Sequence, residues 1–187
     1  MNGNRLERLN GSIYLCGFMA SGKSTLGKAL AKELKWDFRD LDSVIEQKES
    51  MAITEIFREK GEAYFREKEW EYLRSLTMEF KGIVALGGGA LQDQRIVDHL
   101  KIHGLLVFVD TPMEQIVERV YESEERPVLF DESGKIKSKE TLFTELKTLY
   151  SGRIEFYKQA QITIKTSLFT SVQEMAEAVK DKILRHV

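Results

Sequence analysis

An α/β fold built on a largely parallel sheet is predicted by three features of the sequence. Apolar runs of strand length alternate with longer stretches of helical periodicity. The first run leads directly into a glycine-containing loop that opens a helix, the order of parts in a strand, phosphate-binding loop and helix unit. The 187 residues, 42% of them apolar, suffice for one core without calling for a second, so the chain reads as a single domain over 1–187.

Taken in order, Met1 to Asn10 are polar without a regular apolar period and read as a loose leader over 1–10. Ser12 to Cys16 is the first candidate strand. The stretch Gly17-Phe18-Met19-Ala20-Ser21-Gly22-Lys23-Ser24-Thr25 then fits G-x-x-x-x-G-K-[ST] in full, and Leu26, Leu30 and Leu34 mark the helix after it. In that motif backbone N–H groups and the helix N-terminus converge on phosphate oxygens. Gly22 allows close approach, Lys23 can reach the β- and γ-phosphates, and Ser24 can offer a hydroxyl to Mg2+.

The second strand, Trp36 to Leu41, runs into Asp40 and Asp42, which share one side of an extended chain and could face a metal or a hydroxyl. Asp42 could equally cap a helix beginning at Ser43. A long helix opens at Gly61 with Phe65, Leu73, Leu76 and Phe80 toward a core, which leaves Arg66 as either a surface charge or an anion clamp. The third strand, Ile83 to Leu86, ends in Gly87-Gly88-Gly89, a plain turn or a place where a ligand or backbone comes close.

The fourth strand, Leu105 to Val109, is followed by Asp110, a position that holds Mg2+ in many phosphate-loop enzymes. The helix start at Thr111-Pro112 assigns Asp110 a structural role at a helix terminus instead, with Thr111 as cap and Pro112 in the first helical position. Residues 122–139 are polar and rich in turn signals, and read as a lid loop carrying Arg126 or as a surface insertion. A helix from about Ser138 presents Leu142, Leu146 and Leu149, with Arg153 and Tyr157 on one face. Gln161 to Ile164 is the fifth strand, and Ser171 with Glu174 caps a last helix whose Val172, Met175, Ala176, Val179 and Ile183 share a face. In such sheets ligands bind beyond the carboxyl ends of the strands, which is where these chemistry-bearing residues fall.

A net charge of −2 gives no bulk attraction for nucleic acid or acidic membranes, so the expected ligand is a small molecule. No run is long enough to cross a bilayer, and the N-terminus has no apolar signal core. Cys16 is the one cysteine and lies in an apolar strand, as a buried hydrophobe in a cytoplasmic protein would. His99, His103 and His186 lack metal-ligand spacing and read as surface residues.

Together the phosphate loop, Phe38-x-Asp40-x-Asp42, Gly61-Glu62-x-x-Phe65-Arg66-x-x-Glu69, Gly87-Gly88-Gly89, Arg126-Pro127-x-Leu129 and Arg153-x-x-x-Tyr157 resemble the shikimate kinase family from about Ser12 to Leu184. The resemblance implies a five-stranded parallel sheet flanked by helices, a P-loop kinase fold with a mobile lid. It implies transfer of the ATP γ-phosphate to the 3-hydroxyl of shikimate, with ATP and Mg2+ required, usually by a monomer. On this chain it implies that Ala20, Ser21, Gly22, Lys23, Ser24 and Thr25 bind nucleotide, with Ser24 and Asp40 at the metal. Asp42 would face the shikimate hydroxyls, Arg66 and Arg153 hold its carboxylate, and Gly87, Gly88 and Gly89 supply backbone contact. Phe57 and Phe65 would form the apolar side of the pocket, Arg126 the lid cation and Arg119 a neighbour of the adenine.

The chain departs from the family pattern at Ala20, where glycine is common, at Val128, where leucine is usual, and in a longer stretch from Arg126 to Arg153. Two other readings fit parts of the pattern. A kinase for another hydroxylated acid, such as gluconate, would share the loop and lid. A GTP-dependent switch would need an N-K-x-D motif, and the only asparagines are Asn2, Asn4 and Asn10.

Overall fold

The computed structural model of the chain describes residues 9–123, 127–131 and 133–187. Among these, strands β1 (Ser12–Cys16), β2 (Phe38–Asp40), β3 (Ile83–Ala85), β4 (Gly104–Asp110) and β5 (Ile162–Lys165) form one sheet in the order β2-β3-β1-β4-β5. Every pairing is parallel, with Ile13 of β1 opposite both Ile83 and Leu105. Nine α-helices occupy the described residues: α1 (Lys23–Leu34), α2 (Leu41–Glu49), α3 (Ile53–Glu59), α4 (Gly61–Glu79), α5 (Gln94–Ile102), α6 (Met113–Glu122), α7 (Lys139–Ser151), α8 (Ile154–Tyr157) and α9 (Val172–His186).

Alternate strand residues face opposite sides, so the sheet separates two apolar cores. Ile13, Leu15, Leu105, Val107 and Ile164 pack with Leu26, Leu30, Val179 and Ile183 of α1 and α9. Tyr14, Cys16, Val84, Leu106 and Phe108 face the other way, toward Ile45, Ile56, Phe65, Leu73, Leu142 and Leu146. Burial pushes the Cys16 thiol up to about 12, so it behaves as the expected hydrophobe. No helix among the described residues is long and apolar enough to cross a membrane.

All five expected strands are present, but several local readings change. Leu9, assigned to the loose leader, is 6% exposed and packs into the α1/α9 core; residues 1–8 lie outside the described set. Trp36 is not in β2: Lys35 adopts a left-handed conformation and Trp36 donates its N–H to Ala31 O, closing α1 before the strand begins. Thr111 does not cap α6, which starts at Met113 with Pro112 as its N-cap, because the Thr111 hydroxyl donates to Ser21 O instead. Leu149 is 41% exposed and does not join Leu142 and Leu146 in the core.

His99 and His103 are half-buried, their rings 4.1 Å apart, and Trp70 meets His99 edge-on at 5.1 Å. They are packing residues of the α4–α5 contact, not surface residues. The expected polar loop is also more structured than its composition suggests. Leu129, in a short 3-10 turn at Pro127–Leu129, is fully buried, Phe130 and Ile136 form an antiparallel bridge, and Lys137 donates to Val128 O and Glu145.

Candidate active site

Each strand delivers one part of the site from its carboxyl end. After β1 the chain enters the loop and then α1, whose N-cap Gly22 sits at φ +93, a left-handed conformation that glycine adopts without strain. Ala20 also has a positive φ, +55, which explains on conformational grounds why glycine suits that position; the alanine accepts a cost of about 1 kcal/mol. Lys23 Nζ donates to Gly17 O (3.0 Å) and Phe18 O (2.7 Å), and Arg119 Nη1 donates to Ala20 O (2.9 Å). Both cations therefore lie against the loop.

Asp40, at the end of β2, is the N-cap of α2: its Oδ1 accepts the Asp42 N–H (3.1 Å). Its other oxygen accepts a short hydrogen bond from Ser24 Oγ. The capping role considered for Asp42 thus belongs to Asp40, and Asp42 lies in the first turn of α2, not on an extended strand. A cleft of about 580 Å³ gathers the loop from Met19 to Thr25 with Asp40, Asp42, Gly88 and Arg119. Thr166, Val172 and Met175 complete its far side, residues that no sequence motif indicated. A buried hydroxyl chain from Thr166 through Thr111 to Ser21 O ties that side to the loop.

The turn after β3 is the close approach that the triple glycine allowed. A Cβ on Gly87 would stand 2.7 Å from Asp42 Oδ1 and 2.8 Å from Glu69 Oε1, so two carboxylates converge on a residue without a side chain. A Cβ on Gly88 would meet the Met19 backbone N at 2.9 Å, and one on Gly89 would meet Arg66 Nη2 at 2.7 Å. From the opposite side Arg153 Nη1 (3.2 Å) and Tyr157 OH (2.6 Å) both donate to Gly88 O. Arg153 is the N-cap of the short α8, so the expected shared face is realised at a single acceptor atom.

Arg66 is not an isolated surface charge. Its Nη1 contacts Glu69 Oε2 at 2.7 Å and its Nη2 contacts Glu62 Oε1 at 3.3 Å. Phe65 stacks on Phe57 at 4.7 Å, with the Arg66 guanidinium 5.1 Å above the Phe65 ring. Arg66, Glu69 and Gly89 line a second cleft of about 540 Å³ adjoining the glycine turn. Glu69 had a place in a motif but no assigned role; its i+3 spacing from Arg66 was the available signal.

Electrostatically, burial foremost and then the Asp40 charge raise the pKa of Asp42, while Lys23 acts against them. Burial likewise raises that of Glu69, opposed mainly by Arg66. Glu69 Oε1 is the one buried side-chain polar atom without a hydrogen-bond partner among the described residues. Arg126 lies outside the described residues. Asp110, expected after the strand at a helix terminus, is the last residue of β4, and α6 starts only at Met113.

A family model described as shikimate kinase matches residues 19–184, nearly the whole chain. The chain belongs to the shikimate kinase family. A shikimate kinase from Persephonella marina is 41% identical over 155 residues, covering 83% of this chain and 88% of that one. The structure of a shikimate kinase from Acinetobacter baumannii in complex with shikimate superposes with a TM-score of 0.85 at 33% identity, covering 98% and 97% of the two chains. A gluconokinase from Sinorhizobium meliloti, covering 96% of each chain, reaches a TM-score of 0.50 at 20% identity, a likeness of fold alone. Membership of the shikimate kinase family makes the chain an ATP-dependent kinase.

The close approach of Gly88 to the phosphate loop can be tested. Gly88→Ala drives a methyl group into the Met19 backbone, which no rotamer change relieves, and the expected loss is about 1–3 kcal/mol of stability by chemical denaturation. Stability unchanged from the parent would show that the glycine turn does not lie this close to the phosphate loop.

Proposed function

We propose that the chain transfers the γ-phosphate of ATP to the 3-hydroxyl of shikimate, giving shikimate 3-phosphate and ADP on the route to aromatic amino acids. The observation that carries this reading is that Asp42 lines the same cleft as Lys23 and Ser24 while reaching the glycine turn that Arg66 and Arg153 flank. A phosphate cradle and a pocket for a hydroxylated acid thus share one wall.

Phosphoryl transfer requires an acceptor oxygen in line with the γ-phosphate and cations on the spreading negative charge, so positioning outweighs covalent chemistry. In this reading residues Ala20 to Thr25 cradle the phosphates and Lys23 leaves the Gly17 and Phe18 carbonyls for them. Ser24 and Asp40 fit a Mg2+ site: the Ser24 hydroxyl donates a hydrogen bond to Asp40 and keeps lone pairs for a cation. Few protein ligands suit an ion that retains water and takes phosphate oxygens, and the described residues hold no cluster of three or more His, Cys, Asp or Glu side chains placed for a metal. When bound, Mg2+ would neutralise phosphate charge.

Asp42 orients the 3-hydroxyl and accepts its proton. Arg66 and Arg153 hold the shikimate carboxylate through charge-assisted hydrogen bonds, which also fix the direction of the ring. Phe57 and Phe65 pack on its apolar side, and Gly87, Gly88 and Gly89 let it approach the backbone. Arg119 flanks the adenine, and Arg126 reaches ATP from a lid over 122–139. The family resemblance implies a monomer as the working unit, and we place it in the cytoplasm.

Arg66→Ala is expected to raise the shikimate KM at least about tenfold and leave the ATP KM within about twofold. An unchanged shikimate KM in steady-state kinetics would contradict the clamp. A pH profile supplies a second test. Because the Asp42 pKa is raised, its carboxylate is lost as pH falls at a higher pH than for an ordinary aspartate, so the acid limb of kcat/KM for shikimate should lie above the usual aspartate range. A limb at the ordinary aspartate value would remove Asp42 from that role.

A further inference from the structure

Helix α2 is braced at both ends. Its N-terminus carries Asp42 and is fixed to the loop through Asp40 and Ser24. Its last residue, Glu49, places a carboxylate at the negative end of the helix dipole, where local helix energetics do not favour it. The Glu49 side chain is nevertheless only 7% exposed and is surrounded by donors. Tyr64 OH (2.7 Å) and Lys60 Nζ (3.1 Å) donate to Oε2, and Tyr72 OH (2.6 Å) donates to Oε1. The tyrosine hydroxyls, above all, hold the Glu49 pKa down to about 2, so the group stays ionised across the working range.

Both tyrosines belong to α4, and they bracket the turn that presents Phe65, Arg66 and Glu69 to the acceptor side. Lys60 sits at the junction of α3 and α4. The lower end of α2 has a second tie, because Glu46 Oε1 accepts the Ile53 N–H (3.0 Å) at the start of α3. A helix of this length spans roughly 13 Å, so a slide or tilt of α2 against α4 would change the separation between Asp42 and Arg66.

We propose that Glu49 is a positioning residue for the acceptor. By locking the end of α2 to Tyr64 and Tyr72 it sets the distance between the group that meets the acceptor hydroxyl and the arginine that holds the acceptor carboxylate. This rests on the acceptor-site reading above. Glu49 touches neither substrate and acts through the two helices. Helix α2 meets the nucleotide cradle on β1 and α1 through its N-cap Asp40, at the end of the helix opposite Glu49.

The test is steady-state kinetics on the full chain carrying Glu49→Ala, Glu49→Gln or Tyr72→Phe. Glu49→Ala is expected to raise the shikimate KM about fivefold or more, lower kcat, and leave the ATP KM within about twofold. Glu49→Gln, which keeps an acceptor oxygen for a tyrosine hydroxyl, should fall between Glu49→Ala and the parent. Tyr72→Phe, which removes one bond and no charge, should raise the shikimate KM about twofold to threefold, and it decides the matter if Glu49→Ala does not fold. A lowered Tm with an unchanged shikimate KM, or an equal rise in both KM values, overturns the proposal. A parent chain that does not turn over shikimate overturns the acceptor reading and this inference with it; a parent that does, with variants unchanged in shikimate KM, overturns this inference alone.

Discussion

Two carboxylates, Asp42 and Glu69, are drawn out of water against one glycine, and the charges arranged around them govern the rest of the site. Buried groups of like sign raise one another's pKa and oppose folding unless cations stand close. Arg66 answers Glu69 directly, and Lys23 acts on Asp42 from the phosphate loop. The cations that neutralise these carboxylates are thus the same ones assigned to the two substrates. Among the described residues Glu69 Oε1 is left without a hydrogen-bond partner.

The same constraint explains why the parts come from distant segments. A parallel sheet brings the ends of β1, β2 and β3 side by side, so the loop, the Asp40–Asp42 turn and the glycine turn meet without any long excursion of the chain. Each junction is then fastened by polar atoms: Ser24 to Asp40, Arg153 and Tyr157 to Gly88 O, and Thr111 to Ser21 O. These bonds link backbone or short side chains across many residues of sequence. They tie the site together beneath the loop, against whose carbonyls Lys23 and Arg119 lie.

Much of this was legible in the sequence because its signals are local. The phosphate loop, the Ser171 cap and the alternation of strands and helices depend on neighbours within a few positions, and each is found. What escaped depends on partners far away in sequence. A threonine before a proline looks like a cap, but Thr111 donates to a carbonyl ninety positions earlier. The local pattern offered Asp42 as the helix cap, yet it is Asp40 that caps α2 and accepts from the distant Ser24 hydroxyl. Leu9 and Leu129 lie in polar stretches and gave no periodic signal, yet both fill the core. The role of Glu69 was hidden because a carboxylate on a charged helix normally faces water, and only the turn at Gly87 takes it inside.

The central claim is that the phosphate loop and the Asp42, Arg66 and Arg153 constellation form one two-substrate site selective for shikimate. Its most direct test is a coupled assay of ADP formation with the purified chain, ATP and Mg2+, run with shikimate and, in parallel, with gluconate. Saturable turnover is expected with shikimate and none above background with gluconate. Turnover with gluconate alone would contradict the claim.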